Sequence, residues 1–446
     1  MTRLAGRCEA KRNQIATRCG EHRRRVVFDC ACGGIVYRTI RQDGAADAPH
    51  CAIGRVERDV GKLVSAAMIV KNEERVLAGC LDSLTGLVDE IVVVDTGSTD
   101  RSRDIAAEHG ARVHCHAWQE DFSAARNAAL DHAVGEWILY IDADERVRPY
   151  DRRRLEHELA DPALCAMTVR FHPRTGYTAY PEYRLFRRDR RIRFRGAIHE
   201  TMLPDIHAMV ASGQGRCEAT GLTIDHLGYD GDQSHKLPRN LALLEKEVRV
   251  NPDRMYLWWH LGTVYRDLGR IAEAEAAWQT GVAISRRAQP CPPEAALCFV
   301  ELIRRRLDLG QDALALLHEA ISLQPEDPFL HWLMAQALLA EGRYEAAVPI
   351  FERLAAIDPE TLLTCFAYDR RFLGAGALAE AGQCAFRLGR WQESEAFFRR
   401  AEWRCPDSLE FRVKRQLAAA RAAAATARAM AEGTAQGGAV PQGAAA

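Results

Sequence analysis

Four short apolar segments that alternate with helical patterns constrain the fold of this chain more than any other feature. The apolar segments are "SAAMIV", "DEIVVVD", "ARVHCHA" and "WILYID", at residues 65–70, 89–95, 111–117 and 137–142. The segments between them show helical periodicity or helix-capping residues, at residues 75–84, 100–110 and 121–135. This strand–helix alternation predicts an α/β domain over residues 61–235, with a mainly parallel sheet and helices on both faces.

Polar residues follow three of these apolar segments at the point where each predicted strand ends. Residues 71–73, Lys-Asn-Glu, follow the first segment, Asp95 ends the second, and Asp142-Ala143-Asp144 ends the fourth. In open parallel sheets, ligands bind beyond the carboxyl ends of the strands. The sequence therefore predicts a ligand site at this edge of the sheet.

The stretch "EWILYIDADERV", residues 136–147, poses an electrostatic question. Its apolar run leads into Asp142, Asp144 and Glu145, whose carboxylates repel one another unless a cation meets them. Hard cations such as Mg²⁺ and Mn²⁺ prefer carboxylate oxygens, and Mg²⁺ is often completed by substrate phosphates. The pattern favours a divalent-cation and diphosphate site, although most D-x-D triplets are simply solvated surface.

Asp95 and the "TGSTD" that follows it allow two interpretations. A carboxylate at the end of a strand, with its side chain open to the crevice, can accept a hydrogen bond from a nucleotide base or ribose. The same residues can also form an ordinary Asx turn that caps the next helix. The sequence alone leaves both interpretations open.

Residues 236–410 change to a helical repeat. Helix–Gly–helix units recur at residues 257–284, 330–360 and 378–407, with a weaker copy at 297–327. The unit is close to the ~34 residues of a tetratricopeptide repeat, in which each copy buries its apolar face against its neighbours. We therefore predict an all-α solenoid, followed at residues 411–446 by an alanine-rich, largely disordered tail whose first half is a candidate helix.

Residues 1–60 hold five cysteines in a polar, arginine-rich context that cannot build a large core: Cys8, Cys19, Cys30, Cys32 and Cys51. A Zn²⁺ ion would be one way to order such a segment, with His22 and His50 as further candidate ligands. Cys30-Ala31-Cys32 lacks the two-residue gap of common zinc knuckles, so a loosely ordered leader is the alternative.

Composition and charge narrow the classes of partner. The net charge of −1 provides no overall field towards nucleic acid or an anionic membrane. No run approaches ~20 apolar residues and "MTRLAGRCEAKRNQ" has no apolar signal core, so neither a transmembrane segment nor a secretory signal is expected. The 14 scattered cysteines are typical of reduced thiols in a cytoplasmic protein.

Four ordered motifs resemble family 2 glycosyltransferases of the Rossmann-like GT-A fold: "AMIVKNEERVLAGCLDSL", "DEIVVVDTGSTDRSRDIAAEHGA", "DFSAARNAALDHAVGEWILYIDADE" and "RLFRRDRRIRFRGAIHE". The resemblance covers residues 64–285 and does not extend to the cysteine segment. The nearest branch is bacterial, couples this domain to tetratricopeptide repeats, and includes enzymes similar to the peptide S-glycosyltransferase of glycopeptide bacteriocins.

The resemblance implies that five residues bind the nucleotide-sugar, and one of them, Asp142, also belongs to the metal site. Asn72 and Glu73 match the "NEE" that lies beside the base and ribose. Asp95 matches the acid that contacts the uracil or ribose, and Arg126 matches the arginine near the nucleotide and its phosphates.

The resemblance also implies a metal site and a catalytic base. Asp142 and Asp144 match the D-x-D, which binds donor and Mg²⁺ or Mn²⁺, with Asp144 the preferred direct ligand. His226, in "IDHLGY", matches a histidine that reaches the metal or diphosphate. His199 and Glu200 match the "HE" of the acceptor half, and Glu200 is the preferred base because His199 could be used for orientation. A salt bridge to the arginines of "RRDRRIRFR" is the structural alternative for this pair.

The implied activity is metal-dependent, inverting transfer of a sugar from a nucleotide-sugar, by family default a UDP-sugar. The acceptor would be a peptide, protein or glycan that docks on the repeats. One alternative is a catalytically degenerate domain that serves the repeats as a scaffold or binding protein. A nucleotidyltransferase is a further alternative, but such enzymes usually open with a Gly-rich phosphate loop, and none follows "SAAMIV".

Overall fold

The computed structural model of the chain describes residues 61–227, 234–362 and 364–437. Residues 1–60, with the zinc hypothesis for their cysteines, lie outside the described residues. Within the described ranges, none of the helices has the length and apolarity that crossing a bilayer would need.

The first half of the described chain is a mixed, mostly parallel sheet. Its strands are β1 Val64–Val70, β2 Glu90–Asp95, β3 Arg112–Cys115, β4 Trp137–Tyr140, β5 Glu145–Val147, β6 Leu164–His172, β7 Tyr180–Arg187 and β8 Arg216–His226. Their spatial order is β3-β2-β1-β4-β7-β6-β8-β5, and β7 and β5 run antiparallel to their neighbours. The four predicted strands, β1 to β4, are adjacent and mutually parallel, which confirms the predicted α/β class.

Helices cover both faces of this sheet because successive side chains of a strand point in opposite directions. These helices are α1 Leu77–Leu84, α2 Ser102–Glu108, α3 Phe122–His132, α4 Arg152–Leu159 and α5 Leu203–Ala211. Met68 and Val93 pack into one core with α1, whereas Ala67 and Val92 pack into another with α3 and α5. Since both faces of β1 and β2 are buried, the polar chemistry of this region lies at the strand ends.

The second half of the described chain is a series of helix pairs. They are built from α6 Leu237–Val250, α7 Met255–Asp267, α8 Ile271–Ser285, α9 Leu297–Asp308, α10 Leu314–Leu323, α11 Pro328–Ala340, α12 Tyr344–Ala356, α13 Gly374–Arg387 and α14 Trp391–Arg404. Each of the four predicted copies turns at a glycine with φ between 65° and 76°, a conformation that glycine adopts at little cost: Gly269, Gly310, Gly342 and Gly389. Side chains from α7 to α14 share one core, as the predicted solenoid requires.

The described part of the alanine-rich tail is helical, as was considered for its first half. Helix α15 spans Leu409–Gly437, so much of the segment predicted to be largely disordered from residue 411 is helical. Alanine has the highest intrinsic helix propensity. The start of α15 also packs on α14, where Phe398 and Ala418 are buried beside Phe411. Both the alanine content and the packing on α14 therefore favour a helix in this segment.

The α/β domain and the helical repeats are in contact in several places, of which two show the nature of the packing. In the first, Ile198 packs in one apolar cluster with side chains of α6 and α7. In the second, Tyr177 and Asp369 form an isolated antiparallel bridge, and the Thr178 N–H donates to the Tyr368 carbonyl oxygen at 2.8 Å. The repeats therefore pack directly on the α/β domain.

We expect a chain ending at residue 235 to be less stable and less soluble than the full chain. The truncation uncovers Ile198, which is 3% exposed in the full chain, and with it Trp118 and Phe122 of the same cluster. Burying one such side chain contributes about 1.5–3 kcal/mol, and each kcal/mol shifts Tm by about 2–4 °C in a domain of this size, so Tm should fall by about 3–12 °C. Thermal unfolding and size-exclusion chromatography of both chains test this. A monomeric truncated chain that melts at the full-chain temperature would contradict it.

Candidate active site

The carboxyl ends of β1, β2 and β4 form one edge of the sheet, which we call the rim and define as residues 71–73, 95–99 and 142–145. Val70 of β1 lies opposite Asp95, so the first two loops begin side by side. Asn72 joins these loops, because its side-chain Oδ1 accepts the Thr99 N–H at 2.8 Å. Its backbone has a φ of 58°, a conformation that asparagine adopts more readily than most residues. The contacts of Asn72 thus order the region that was predicted to lie beside a nucleotide.

Asp95 lies at the rim, but its side chain is not open to a crevice as expected. The residue is buried, and its Oδ1 accepts the N–H groups of Gly97 and Ser98, both at 3.1 Å. Gly97 has a φ of 110°, which a residue with a side chain rarely adopts. The Asx-turn alternative is therefore the one observed, and contact between Asp95 and a nucleotide stays a prediction.

Two of the three carboxylates in the acidic run are neutralised by arginines. Asp142 accepts two hydrogen bonds from Arg126, with Nη1–Oδ1 and Nη2–Oδ2 distances of 2.9 and 3.1 Å. Glu145, which is 1% exposed, pairs with Arg184 of β7 in the same bidentate manner, at 3.0 and 2.8 Å. Burial works against both charges, but Arg126 lowers the pKa of Asp142 to about 2, whereas burial raises the pKa of Glu145 to about 7 despite Arg184.

Arg126 also joins the rim to the loop that carries Glu200. Its Nε donates to Glu200 Oε1, and its guanidinium carbon lies 5.3 Å and 5.6 Å from the ring centroids of Tyr140 and Phe194. Burial opposes the charge of Arg126, but Asp142 and Glu200 together raise its pKa. Arg126 is therefore fixed between two carboxylates, and its predicted proximity to phosphates remains untested.

Glu200 forms a salt bridge, but its partner is not one of the arginines that the sequence analysis considered. Its partner is Arg126 of α3 rather than one of the arginines in residues 187–195. In the described part of the chain, no donor other than Arg126 lies within hydrogen-bonding distance of its carboxylate. Oε2 of Glu200 is thus available to accept a proton, as a general base must.

His199 faces the helical repeats. Its ring stacks on that of His260 in α7, with centroids 3.4 Å apart and planes 16° from parallel. Burial, assisted by the charge of Arg254, lowers the pKa of His199 to about 3. A base with so low a pKa accepts a proton poorly near neutral pH. Of the two predicted bases, the geometry favours Glu200.

Asp144, the third carboxylate of the run, lies beside His226 at the end of β8. Asp144 Oδ2 and His226 Nε2 are 3.4 Å apart, and the Asp144 side chain is 25% exposed. The other ring nitrogen, Nδ1, lies 3.2 Å from the Pro173 carbonyl oxygen, which orients the imidazole. Burial lowers the pKa of His226, but the interaction with Asp144 outweighs it, so the net shift is upward. Each carboxylate of the run thus has an arginine or histidine side chain as its partner.

The three predicted metal ligands do not form one cluster. In the described part of the chain, no three His, Cys, Asp or Glu side chains lie close enough together to hold a metal by themselves. Both oxygens of Asp142 are bound to Arg126, whereas Asp144 lies beside His226. Mg²⁺ is typically held by one or two carboxylates plus substrate phosphates. Asp144 with His226 fits such a site, completed by a diphosphate.

Glu73 adds negative charge to the rim. Its N–H donates to Ser102 Oγ at 2.8 Å, which ties the loop after β1 to the start of α2. Burial and the charges of Asp144 and Asp142 raise the pKa of Glu73, and the charge of Lys236 opposes them. Lys236 therefore brings a positive charge from the start of the repeats to this acidic region, and the sequence analysis did not single it out.

Arg184 is a second residue that sequence reasoning missed. It is buried, and its guanidinium carbon lies 4.4 Å from the Tyr140 ring centroid and 4.7 Å from that of Phe171. The sequence provided little indication that Arg184 is buried, because it is the first residue of an arginine-rich stretch, "RLFRRDRR". Its place inside a strand between apolar residues was the clue that it is buried.

Comparisons with known proteins match both halves of the described chain to protein families. Residues 65–214 match the family model described as Glycosyl transferase family 2. The chain carries a family 2 glycosyltransferase domain. Residues 233–290 and 310–363 match models of the tetratricopeptide repeat, so the domain is joined to the predicted repeats.

Two curated relatives resemble this glycosyltransferase–repeat chain over part of its length. A TPR repeat-containing protein of Synechococcus elongatus is 34% identical over 251 residues, which cover 54% of this chain and 62% of the relative. The SPbeta prophage-derived glycosyltransferase SunS of Bacillus subtilis is 28% identical over 223 residues, covering 47% of this chain and 51% of SunS. The chain thus spans between half and two thirds of these relatives.

Among solved structures, the chain is similar to glucosyl-3-phosphoglycerate synthase of Mycobacterium tuberculosis. That enzyme was crystallised with Mn²⁺, UDP-glucose and glycerol 3-phosphate. It is 17% identical, and the similarity covers 44% of this chain and 82% of that one, with a TM-score of 0.31.

Proposed function

We propose that this protein is an inverting glycosyltransferase that moves a sugar from a nucleotide-sugar to a peptide, protein or glycan acceptor. The match to family 2 glycosyltransferases over residues 65–214 supports the reaction class. One observation carries the proposal for the site. Arg126 connects Asp142 of the D-x-D to Glu200, so donor-side and acceptor-side carboxylates lie within reach of a single guanidinium.

The reaction is a displacement at the anomeric carbon. The acceptor atom attacks this carbon from the face opposite the nucleoside diphosphate, the bond from carbon to the diphosphate oxygen breaks, and the configuration inverts. The proton of the acceptor passes to Glu200 Oε2, while Arg126 holds Oε1 in place. Fixing the carboxylate in this way reduces the entropy cost of the proton transfer.

The departing diphosphate develops negative charge in a region that already holds Glu73 and Asp144. Asp144 and His226 would hold a Mg²⁺ or Mn²⁺ ion, which supplies the positive charge that stabilises this leaving group. Lys236 adds a protein cation on the same side. The fit of these residues to the ion supports metal dependence.

The donor proposed is a UDP-sugar, and the acceptor is proposed to dock on the repeats that pack beside Glu200. The alternative, a degenerate domain that serves as a scaffold, would not need an ordered Arg126–Glu200 pair or an accessible Asp144. Incubating the full chain with a panel of nucleotide-sugars, and measuring nucleoside diphosphate release with and without Mn²⁺, tests the proposal. Release from none of the donors would favour the scaffold.

Variants of Asp95 test whether its carboxylate contacts the uracil base of the nucleotide. If its carboxylate only orders the turn, Asp95→Asn should keep UDP affinity, because one amide oxygen can still accept both N–H groups. If the carboxylate also accepts the N3–H of uracil, loss of a charged hydrogen bond of about 1.5–3 kcal/mol should weaken UDP about ten- to a hundredfold. We expect the weaker binding in Asp95→Asn and a comparable or larger loss in Asp95→Ala.

Titration calorimetry of UDP on wild type and both variants, with and without Mn²⁺, separates these cases. The Asp95 effect should persist without the metal. Unchanged UDP affinity in Asp95→Asn, or a wild-type preference for ADP over UDP, would remove both the assignment of Asp95 and the support for a uridine donor.

A further inference from the structure

The loop that carries Glu200, residues 194–200, is held from two sides. On the sheet side, Asn127 of α3 pairs with both backbone groups of Phe194, at 2.9 Å each. The Phe122 N–H donates to the Ala197 carbonyl oxygen at 2.9 Å. These contacts fix the beginning of the loop to the glycosyltransferase domain.

On the other side, the loop is held by the first helices of the repeats. Glu247 of α6 is 5% exposed, and its Oε2 accepts the Ala197 N–H at 2.9 Å. Arg254, at the start of α7, donates from Nη2 to the His199 carbonyl oxygen at 2.8 Å. The ring of His199 stacks on His260 of α7. The end of the loop, next to Glu200, therefore depends on side chains outside the glycosyltransferase domain.

The backbone of this loop has little freedom to move closer to or away from the repeats. Gly196 has a φ of 100°, and a Cβ there would lie 3.2 Å from Glu247 Oε1. His199 also has a positive φ, 51°, which is uncommon for a residue with a side chain. Strained backbone of this kind persists where the surrounding contacts determine it.

We propose that Glu247 and Arg254 are positioning residues of the active site, through which the repeats place Glu200 against Arg126. This inference rests on the proposed function, because it assigns Glu200 the role of base. It gives the repeats a part in catalysis that is separate from acceptor docking. A misplacement of about 1 Å in a reacting group can reduce turnover about a hundredfold, so the loop contacts have a measurable consequence.

Glu247→Ala removes the acceptor of the Ala197 N–H. We expect hydrogen exchange of residues 197–200 to accelerate and kcat to fall about ten- to a hundredfold, the factor that corresponds to a charged hydrogen bond. UDP affinity should be unchanged because the rim does not contact Glu247. Glu247→Gln keeps one acceptor oxygen and should recover part of kcat.

Glu245→Ala is the matched control, because Glu245 lies on the same helix and binds the Tyr265 hydroxyl at 2.8 Å instead of the loop. If Glu247→Ala does not fold, Arg254→Lys is compared with Arg266→Lys, whose arginine pairs with Glu301 in the repeats.

The proposal is overturned if hydrogen exchange at residues 197–200 is the same in the loop variant and in its control. A loss of kcat accompanied by an equal loss of UDP affinity would also overturn it, since that pattern indicates general destabilisation. If wild type transfers no sugar from any donor, the proposed function fails, while the exchange data still decide whether Glu247 and Arg254 hold the loop.

Discussion

Asp144→Asn is expected to abolish metal-dependent transfer while leaving the fold intact. The stabilisation that a bound cation gives to a leaving group amounts to several kcal/mol, so kcat with Mn²⁺ should fall at least about a thousandfold. Stability should change little, because the Asp144 side chain is partly exposed and its partner is a single imidazole. Nucleoside diphosphate release at a series of Mn²⁺ concentrations, together with the Tm of the variant, provides the measurement.

The chain offers a closely matched control for this change. Asp82 Oδ1 lies 3.3 Å from His109 Nε2, so it forms a similar carboxylate–imidazole pair away from the rim. Asp82→Asn should therefore retain wild-type turnover and metal dependence. If Asp144→Asn also retains full turnover with Mn²⁺, the assignment of Asp144 as a metal ligand is wrong.

Glu200→Gln is expected to lower kcat for transfer about 10²- to 10⁴-fold, the range that general-base catalysis contributes. The amide oxygen of glutamine can still accept from Arg126 Nε, so the loop should stay in place. Because the change removes the base but not the donor site, UDP affinity should be retained. Single-turnover kinetics with saturating donor, combined with calorimetry of UDP binding, separates the chemical step from binding.

Glu136→Gln is the control for this second variant. Glu136 pairs with Arg187 at the beginning of β4, the opposite end of the strand from the rim, so its replacement should leave kcat unchanged. Wild-type kcat in Glu200→Gln would show that another group takes the proton. A loss of UDP affinity in the variant would instead indicate that Arg126 had moved.

The acidic run at residues 142–145 shows which features of the candidate site could be predicted from local sequence. The sequence predicted that its three carboxylates lie at one edge of the sheet and that a positive charge lies beside them. It could not identify that charge, because the chain has 60 Lys and Arg residues and the partners are distant along the chain. Arg126 reaches Asp142 across 16 positions, and Arg184 reaches Glu145 across 39.

Asp95 and His199 show what a motif match leaves undetermined. For both residues, the resemblance implied a role in the active site but not the contacts of the side chain. In the structure, Asp95 is bound to the amides of its own turn and His199 stacks on a helix of the repeats. Matching a residue to a motif identifies its position in the chain but does not reveal which groups its side chain contacts.

By itself, the sequence determined the first four strands, the helices between them and the helix pairs of the repeats. Apolar periodicity, capping residues and turn glycines act over a few residues, so the parallel strands β1 to β4 and the helix pairs of the repeats could be predicted without a structure. The convergence of the strand ends also followed, since parallel strands end on the same edge. Tertiary structure alone decided which charges pair, that Asp142 binds Arg126 whereas Asp144 lies beside His226, and that side chains of the first repeat helices contact the loop of Glu200. These outcomes depend on packing between segments far apart in the chain, where many side chains of the same type compete and geometry selects one.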